Sequence, residues 1–325
     1  APEAPGTLTR SQRRALGRTP DPVPPPDAPV SEGAGALRWA GRIAVGLAVL
    51  LLVWTVAGYL ALRSASGDAQ DRIAPAAERA LDDAPGGLLS SPATTLIVGI
   101  DTLPGENRSR ADTIMLMRTD PDAGEIRYLS VPRDFRVIHP ERGTEKINAS
   151  FAVAGQAGVI RSVRRLTGLP IHHIMVVNFA RFPTLVDELG GVTVNNPTEL
   201  RDCPYAGGRR VSFPQGRITL DGDRALEFAR VRQCDDDFAR ARRQQEVVRG
   251  MQEKVLSLSS LPMAPWRGAA ATRALGTDMG ALDLATFGWL QRRLSSDPDD
   301  RLLLSGTPQR IDGISFVIGD PERNE

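Results

Sequence analysis

The feature that most constrains the fold is a run of twenty uncharged residues between Arg42 and Arg63, IAVGLAVLLLVWTVAGYLAL. At a rise of about 1.5 Å per residue, a helix of this length matches the roughly 30 Å hydrocarbon core of a bilayer. A secretory signal peptide is the alternative, but its apolar region would be shorter, nearer the N-terminus and followed by a small-residue cleavage motif. We therefore predict a transmembrane helix over residues 37–62, with Tyr59 as an interfacial anchor.

The charges on the two sides of this run predict its orientation. Six arginines precede the run and only a balanced set of charges follows it closely: Arg10, Arg13, Arg14, Arg18, Arg38 and Arg42 before, then Arg63 and Arg72 beside Asp68 and Asp71. The positive-inside rule places the N-terminus in the cytoplasm and everything after residue 62 outside. Residues 1–36 are rich in Pro, Ala, Gly and Arg and lack apolar periodicity, so we predict a disordered cytoplasmic tail.

Composition limits the partners and the redox state. The net charge is +1, which favours no nucleic-acid partner. Lysine occurs only at Lys146 and Lys254, so arginine clusters carry less weight in this chain than usual, and a lysine carries more. Because disulfides persist outside the cytosol, we predict that Cys203 and Cys234 form a bridge, worth about 3 kcal/mol for a loop of this length.

After the span, the composition and the hydrophobic pattern of the chain change twice. Residues 63–93 are polar and rich in Ala and Gly, and we predict an extracytoplasmic linker there. Over residues 94–325 strands alternate with helices, which indicates an α/β domain with helices on both faces of a sheet. The predicted strands are TTLIVGID, TIMLMRTD, EIRYLSVPRD, HHIMVVNF, GVTVNN, RLLLSG and ISFVIG. The predicted helices are SFAVAGQAGVIRSVRRLTGL, FPTLVDELGG, DGDRALEFARVR, DFARARRQQEVVRGMQEKVLSL and DLATFGWLQRRL.

Charged residues stand where two predicted strands end. Asp101 follows LIVGI, the pair Arg133-Asp134 follows YLSVP, and Arg110 and Asp112 directly precede the second strand. Ligands bind at this edge of open α/β sheets. Asp101 and Asp112 could share a Mg²⁺ ion, which takes a few carboxylates together with phosphate oxygens. The alternative is that both aspartates form turns or caps, and the local pattern alone favours that alternative.

The stretch RVRQCDDDFARARRQQE, residues 230–246, concentrates charge at the start of a predicted helix. With Asp237 as N-cap, the apolar stripe continues backward through Arg240, Arg243 and Gln244. Arg242, Glu246 and Arg249 then lie on the opposite side of the helix, where we predict an Arg-Glu-Arg ladder in water. Inward arginines need anionic partners, either the neighbouring aspartates or a ligand.

The chemistry that fits this stretch is phosphoryl transfer. Guanidinium groups bind phosphate bidentately, and Arg230 and Arg232 could join from the preceding segment. The chain has neither a phosphate-binding glycine loop ending in Lys-Ser/Thr nor a nucleophile elbow. His139, His172 and His173 lack metal-ligand spacing, and we interpret them as structural. Several arginines, two candidate metal carboxylates and no covalent nucleophile match a reaction that depends on positioning and charge neutralisation.

The motifs LIVGID, RADTIMLM, LSVPRD, KINASFAVAG, VNFARFPTLVDELGGVTV, LEFARVR and DFARARRQQ occur in this order over residues 94–255. Together they strongly resemble the LytR-CpsA-Psr family of cell-wall glycopolymer transferases. The resemblance implies a three-layer α/β/α sandwich around a central mixed β-sheet, here over residues 94–325, with a long apolar pocket for a polyprenyl chain. It also implies transfer of a phosphoglycan, arabinogalactan or teichoic-acid-like, from a polyprenyl-pyrophosphate carrier to a peptidoglycan hydroxyl, assisted by Mg²⁺ or Mn²⁺.

The resemblance also assigns roles to residues. Asp101 and Asp112 would hold the metal, and Asp237 would orient arginines or act as a base. The pyrophosphate ligands would be Arg110, Arg133, Arg230, Arg232, Arg240, Arg243 and Gln244, with Lys146 beside them; Arg133, Arg240 and Arg243, together with Asp237, would form the catalytic set. Many relatives have Arg two residues after the first aspartate, where this chain has Leu103, and Arg108 is the candidate to supply that charge. Two other functions stay open: a scaffold that binds polyprenyl-phosphate glycans without catalysis, and a polyprenyl-pyrophosphate hydrolase.

Overall fold

The computed structural model describes residues 32–101, 110–139, 142–205, 208–231, 234, 237–256, 263–294, 301–311 and 313–319. The chain divides into two compact units, Ala1–Trp54 and Thr55–Glu325. Helix α1 (Glu32–Gln70) begins in the first unit and continues into the second. Its part Arg38–Gln70 is long and apolar enough to cross a membrane, by length and composition. The large apolar side chains of the uncharged run are exposed, Leu50 by 66%, as a lipid-facing helix requires.

Helix α1 extends beyond the predicted 37–62 at both ends. Residues 32–36, which we predicted to be disordered, are helical. The rest of the predicted tail lies outside the described residues. The extension has a simple physical reason, because nothing in either flank breaks a helix: the nearest prolines, Pro29 and Pro75, lie beyond both ends.

Six strands form a mixed central sheet in the order β11-β6-β1-β2-β3-β12. These strands are β1 (Ala93–Asp101), β2 (Arg110–Asp120), β3 (Glu125–Ser130), β6 (His173–Asn178), β11 (Leu275–Thr277) and β12 (Arg301–Leu303). Strands β1 and β6 are parallel, as are β3 and β12, whereas β2 runs antiparallel to both β1 and β3. The remaining strands pair two by two: β4 (Arg136–His139) with β5 (Gly143–Lys146), β7 (Val192–Asn196) with β10 (Gly216–Leu220), β8 (Leu200–Pro204) with β9 (Arg210–Phe213), and β13 (Gly306–Ile311) with β14 (Ile314–Gly319).

Helices cover both faces of the central sheet. They are α2 (Pro75–Glu78), α3 (Ala149–Thr167), α4 (Phe182–Glu188), α5 (Gly222–Arg230), α6 (Asp237–Leu256), α7 (Ala264–Ala274) and α8 (Ala281–Arg293). Leu96 and Val98 of β1 pack in one apolar cluster with Ile160 of α3. Ile97, between them in sequence, packs in a second cluster with Leu290 of α8. This alternation confirms the predicted three-layer α/β/α sandwich around a mixed sheet.

A third apolar cluster lies outside the central sheet. It joins helices α4, α5 and α6 to the strand pairs β7/β10 and β8/β9. At its centre the rings of Phe213 and Phe228 meet edge to face, with centroids 5.1 Å apart. The cluster fixes the position of α5, the helix that carries Arg230.

Residues 63–93 are not a free linker in the structure, contrary to our prediction. Ala65, Ala69, Ile73 and Ala77 are buried and follow one another at a spacing of four residues. Ile73 and Ala77 belong to the core cluster that also contains α3. The stripe is made largely of alanine, which buries little area yet lets the backbone approach the core closely, so an Ala-rich segment that seemed to be a spacer is part of the domain.

His172 has the structural role that we predicted. Its Nδ1 accepts a hydrogen bond from the Thr94 amide at 2.9 Å, and its own amide donates to the Thr94 carbonyl. Burial, reinforced by the neighbouring His173, lowers the pKa of His172 below the ordinary value of 6.5. The imidazole is therefore held neutral in the folded protein.

This burial predicts a loss of stability in acid. Because the folded-state pKa lies below the unfolded-state value, the unfolded chain takes up a proton first as the pH falls. The contribution of His172 is complete above about pH 6.5 and is lost as the pH falls towards the folded-state pKa. We expect His172→Asn to narrow the difference in free energy of unfolding between about pH 7.5 and pH 5, measured by urea titration. An unchanged difference would show that other groups cause the acid sensitivity.

Candidate active site

The candidate site lies at one edge of the central sheet. The carboxyl ends of β1, β3 and β6 meet there with the amino end of β2, because β2 runs antiparallel to its neighbours. Asp101 ends β1 and pairs in register with Arg110, the first residue of β2. The predicted edge residues are thus brought together by strand order alone.

A β-bulge changes the direction of the side chains at the start of β2. The register pairs Gly99 with Thr113 and Ile100 with Ala111, so Asp112 is the extra residue between them. Ala111 is fully buried and Asp112 is half-buried. Bulges of this kind recur beside active sites, where they redirect a side chain that regular pleating would point elsewhere. No sequence periodicity could have placed this bulge.

Two carboxylate–guanidinium pairs occupy the edge. Arg230, the last residue of α5, donates to Asp101, and the Nη1 of Arg133 lies 2.6 Å from Oδ1 of Asp112. The four side chains are between 21% and 33% exposed, so solvent reaches both pairs. The site therefore holds balanced charge that an incoming anion and cation can rearrange.

Arg133 starts a chain of polar contacts that includes Lys146. Its Nε lies 3.8 Å from Asp134, and Lys146 donates to Asp134 at 3.0 Å. The Nε of Arg133 is buried, and within the described part of the chain it has no hydrogen-bond partner. Arg133 therefore has one unsatisfied donor, and its charged neighbours at the edge are the carboxylates of Asp112 and Asp134.

Phe179 was missed by our reading of the sequence. It follows β6 directly, and its amide donates to the Ile100 carbonyl at 3.0 Å. The guanidinium of Arg230 lies over the Phe179 ring, 5.4 Å from its centroid. A Cβ atom on Gly99 would meet this ring at 2.7 Å, so only glycine leaves room for it. The same signal that selected Asp101, a position directly after a strand, could have selected Phe179.

The inward arginines of α6 have structural contacts. Arg240 and Arg243 are buried, as we predicted from helical phase. Arg243 donates to the Phe228 carbonyl at 2.9 Å and to the Val231 carbonyl at 2.6 Å. It thus satisfies carbonyl groups at the C-terminus of α5, next to Arg230. Direct binding of pyrophosphate by Arg240 and Arg243 stays a prediction.

The phase of the polar residues on α6 differs in part from the prediction. Arg242 is exposed as expected, but Gln245 is more buried than Gln244 and donates to Ser130 Oγ at 2.8 Å. Gln244 is half-buried and donates to the Ala229 carbonyl at 3.4 Å.

The predicted solvated ladder on α6 is largely covered, which is a correction. Glu246 is 15% exposed and accepts from the Asn195 amide, because α6 also packs against β7. The hydrogen bond to Glu246 raises the pKa of Arg249 above its ordinary value. The apolar stripe in the sequence indicated only one packed face of α6 and gave no sign of the second face, which packs against β7.

A buried carboxylate ties the β8/β9 hairpin to the site. Glu227 of α5 is 4% exposed and pairs with Arg209 at 2.5 Å and Arg224 at 2.8 Å. Tyr205 lies in the same hairpin, and burial raises the pKa of its hydroxyl.

The predicted disulfide is present: Cys203 in β8 and Cys234 are joined by a 2.07 Å bond. It links the hairpin to the segment between Arg230 and α6. We expect the double variant Cys203→Ser/Cys234→Ser to unfold with a free energy about 3 kcal/mol lower, since the bond closes a loop of 31 residues. Thermal unfolding with and without dithiothreitol measures this effect. A wild-type protein that is insensitive to dithiothreitol while the double variant is equally stable would contradict it.

Some predicted residues lie outside the described part of the chain: Arg232, Leu103 and Arg108, and also the side chain of Asp237. Among the described residues no group of three or more His, Cys, Asp or Glu side chains could hold a metal. Asp101 and Asp112 supply two hard carboxylates, and this donor set fits a Mg²⁺ ion completed by phosphate oxygens and water.

A mixed-sheet α/β/α domain with paired carboxylates and arginines at one sheet edge defines a class of protein suited to bind phosphate groups. The family model LytR_cpsA_psr matches residues 58–325, and the chain belongs to the LytR-CpsA-Psr family.

One relative is a Halalkalibacterium halodurans protein named polyisoprenyl-teichoic acid–peptidoglycan teichoic acid transferase TagU. The two sequences are 33% identical over 233 residues, and the aligned region covers 70% of this chain and 74% of the relative. The crystal structure of Bacillus subtilis TagU matches with 27% identity and a TM-score of 0.55, over 72% of this chain and 93% of that one. The LytR-CPS2A-psr family protein YwtF (TagT) with bound octaprenyl pyrophosphate lipid has the same fold, with 21% identity and a TM-score of 0.60 over 74% of this chain and 88% of that one.

Proposed function

We propose that this protein transfers a phosphoglycan from a polyprenyl-pyrophosphate carrier to a hydroxyl of peptidoglycan. The observation that carries the proposal is the pair of neighbouring ion pairs at the sheet edge, Asp101–Arg230 and Asp112–Arg133. Family membership and the relative named as a teichoic acid transferase support it. The related fold that binds octaprenyl pyrophosphate supports a lipid-linked donor.

The charges of the edge match such a donor. Two aspartates and two arginines sum to zero, and a pyrophosphate diester with a divalent cation also sums to zero. The arginines can exchange their carboxylate partners for phosphate oxygens while the aspartates take the cation, so no charge is left unpaired in a partly buried site. Arg133 can take part in this exchange because its side chain is partly exposed, at 21%.

The reaction forms one phosphorus–oxygen bond and breaks another. The acceptor hydroxyl oxygen attacks the sugar-side phosphorus, and the bond from that phosphorus to the bridging oxygen breaks. A phosphodiester to peptidoglycan forms, the proton of the acceptor hydroxyl passes to solvent water, and polyprenyl monophosphate leaves with the charge that develops on its oxygen. Arg230 and Arg133 are placed to stabilise this charge, while Phe179 and the α5 C-terminus hold Arg230 in place. A Mg²⁺ or Mn²⁺ ion held by Asp101 and Asp112 would neutralise phosphate charge.

The donor is a membrane lipid, and α1 supplies the matching anchor. We propose a single-pass protein with the N-terminus in the cytoplasm and the domain after residue 62 outside the cytoplasmic membrane. The excess of arginine before the span supports this orientation. The Cys203–Cys234 disulfide fits an oxidising compartment.

A reconstituted assay tests the proposed reaction. The full chain in liposomes is incubated with a polyprenyl-pyrophosphate glycan and purified peptidoglycan, and both glycan-linked peptidoglycan and polyprenyl monophosphate are quantified. We expect both products in equal amounts, both lost with EDTA and restored by Mg²⁺ or Mn²⁺. Lipid monophosphate release without any need for the acceptor would instead identify a hydrolase. Tight donor binding without either product would identify a scaffold.

A further inference from the structure

The packing of the second unit reaches into the uncharged run of α1. Gly58 is buried, and a Cβ atom placed on it would meet Cβ of Pro265 at 2.5 Å. Pro265 lies in the first turn of α7. Helix α7 therefore touches α1 four residues before Leu62, the last residue of the run.

A second contact with α1 lies at the start of β11. Eleven residues later on both segments they are still in contact, since a Cβ on Gly276 would lie 3.8 Å from the Ala69 carbonyl oxygen. Arg72 also donates to the Leu275 carbonyl at 2.8 Å. Because the two contacts are eleven residues apart on both segments, α7 and the end of α1 point in the same direction.

The depth of the first contact follows from the span. If the uncharged run fills the hydrocarbon core, Gly58 lies about 6 Å inside its boundary. Interfacial elements insert their apolar face roughly 5–10 Å into the boundary between headgroups and acyl chains. The start of α7 therefore falls at the level where such elements are found.

The residues at this level have interfacial chemistry. Met263 precedes α7 and is 53% exposed, although it is a large apolar side chain. Trp266 and Arg267 follow Pro265 directly. Tryptophan and arginine next to each other are typical of the headgroup region, where an apolar body and a positive charge are both stabilised.

We propose that Met263, Pro265 and Trp266 form a second membrane contact, seated in the bilayer surface beside the spanning helix. This inference rests on the proposed membrane span. The contact would be a second attachment of this protein to the bilayer, besides the spanning helix. Since β11 follows α7 and pairs Leu275 with Val177, two residues before Phe179, the site edge would stand within about 25 Å of the contact, in reach of a lipid-borne pyrophosphate.

Single-cysteine labelling tests the contact. Cys203 and Cys234 form a disulfide, so a new cysteine in the full chain can be labelled selectively under non-reducing conditions. Met263→Cys is labelled with the fluorophore NBD and reconstituted in liposomes of phosphatidylcholine and phosphatidylglycerol. The matched controls are Leu50→Cys in the middle of the span and Ala123→Cys in the exposed turn after β2.

We expect the probe at position 263 to be quenched by doxyl-labelled lipids and to be several-fold less accessible to iodide than the probe at position 123. Iodide quenching at position 263 equal to that at position 123, with position 50 shielded, would overturn the second contact while the span holds. Iodide access at both 50 and 263 would overturn the span and the contact together. Transfer activity plays no part in these readouts, so a failure of the proposed reaction is seen separately.

Discussion

Arg230→Ala is expected to lower kcat/KM for glycan transfer about 10²–10³-fold, the loss typical when a preorganised donor to a developing charge is removed. Arg230 pairs with Asp101 and lies over the Phe179 ring, so its guanidinium is held at the edge before the donor arrives. Without it, the donor's phosphate loses one of the two guanidinium partners that the edge supplies. The measurement is the initial rate of phosphodiester formation with a lipid-pyrophosphate donor.

Two further variants sharpen this prediction. Arg230→Lys keeps the charge but loses the planar fork, so its rate should lie between those of the wild type and the alanine variant. Arg242→Ala removes an exposed arginine on α6 and should leave the rate within about twofold of wild type, as surface changes usually do. Equal rates for Arg230→Ala and Arg242→Ala, with both proteins folded, would remove Arg230 from the site.

Arg243→Ala is expected to lower the free energy of unfolding by about 2–4 kcal/mol, because the carbonyls of Phe228 and Val231 lose their donor inside the protein. The thermal midpoint should fall by roughly 5–15 °C for a domain of this size. Differential scanning calorimetry of the full chain in detergent measures the change. The same position is also a predicted pyrophosphate ligand, so stability and transfer must be measured on one preparation.

The control for Arg243 is Arg242→Ala, one residue away but exposed, which should leave the midpoint nearly unchanged. A normal midpoint for Arg243→Ala together with a large loss of transfer would contradict the structural role. It would indicate instead that Arg243 acts mainly on the donor. A lowered midpoint with kcat/KM close to wild type at low temperature would limit Arg243 to holding α5.

Much of the fold followed from local patterns. The apolar run in TTLIVGID predicted strand β1, and the structure shows that Leu96 and Val98 pack in one apolar cluster while Ile97 packs in another. The helix predicted to end at Gly168 is α3, which ends at Thr167 with Gly168 as its left-handed C-cap. The residues 63–93 were misjudged because alanines at a spacing of four carry little hydrophobic signal. Their burial depends on a partner surface that is distant in sequence.

Individual residues of the site could be predicted from the sequence, but the ion pairs that they form could not. Asp101, Asp112 and Arg133 were selected from their positions at strand ends, yet nothing local indicates that Arg133 pairs with Asp112 or Arg230 with Asp101. These pairings depend on the bulge in β2 and on the packing of α5, which are tertiary features. Phe179 went unnoticed because an aromatic residue after a strand is usually part of the core.

The central claim is that the two ion pairs of the sheet edge hold the donor's pyrophosphate. A crystal structure of the protein with a bound polyprenyl pyrophosphate tests it most directly. We predict that both pairs open and that phosphate oxygens lie about 3 Å from the guanidinium groups of Arg230 and Arg133. A lipid pyrophosphate bound elsewhere, with Asp101–Arg230 and Asp112–Arg133 both intact, would contradict the account.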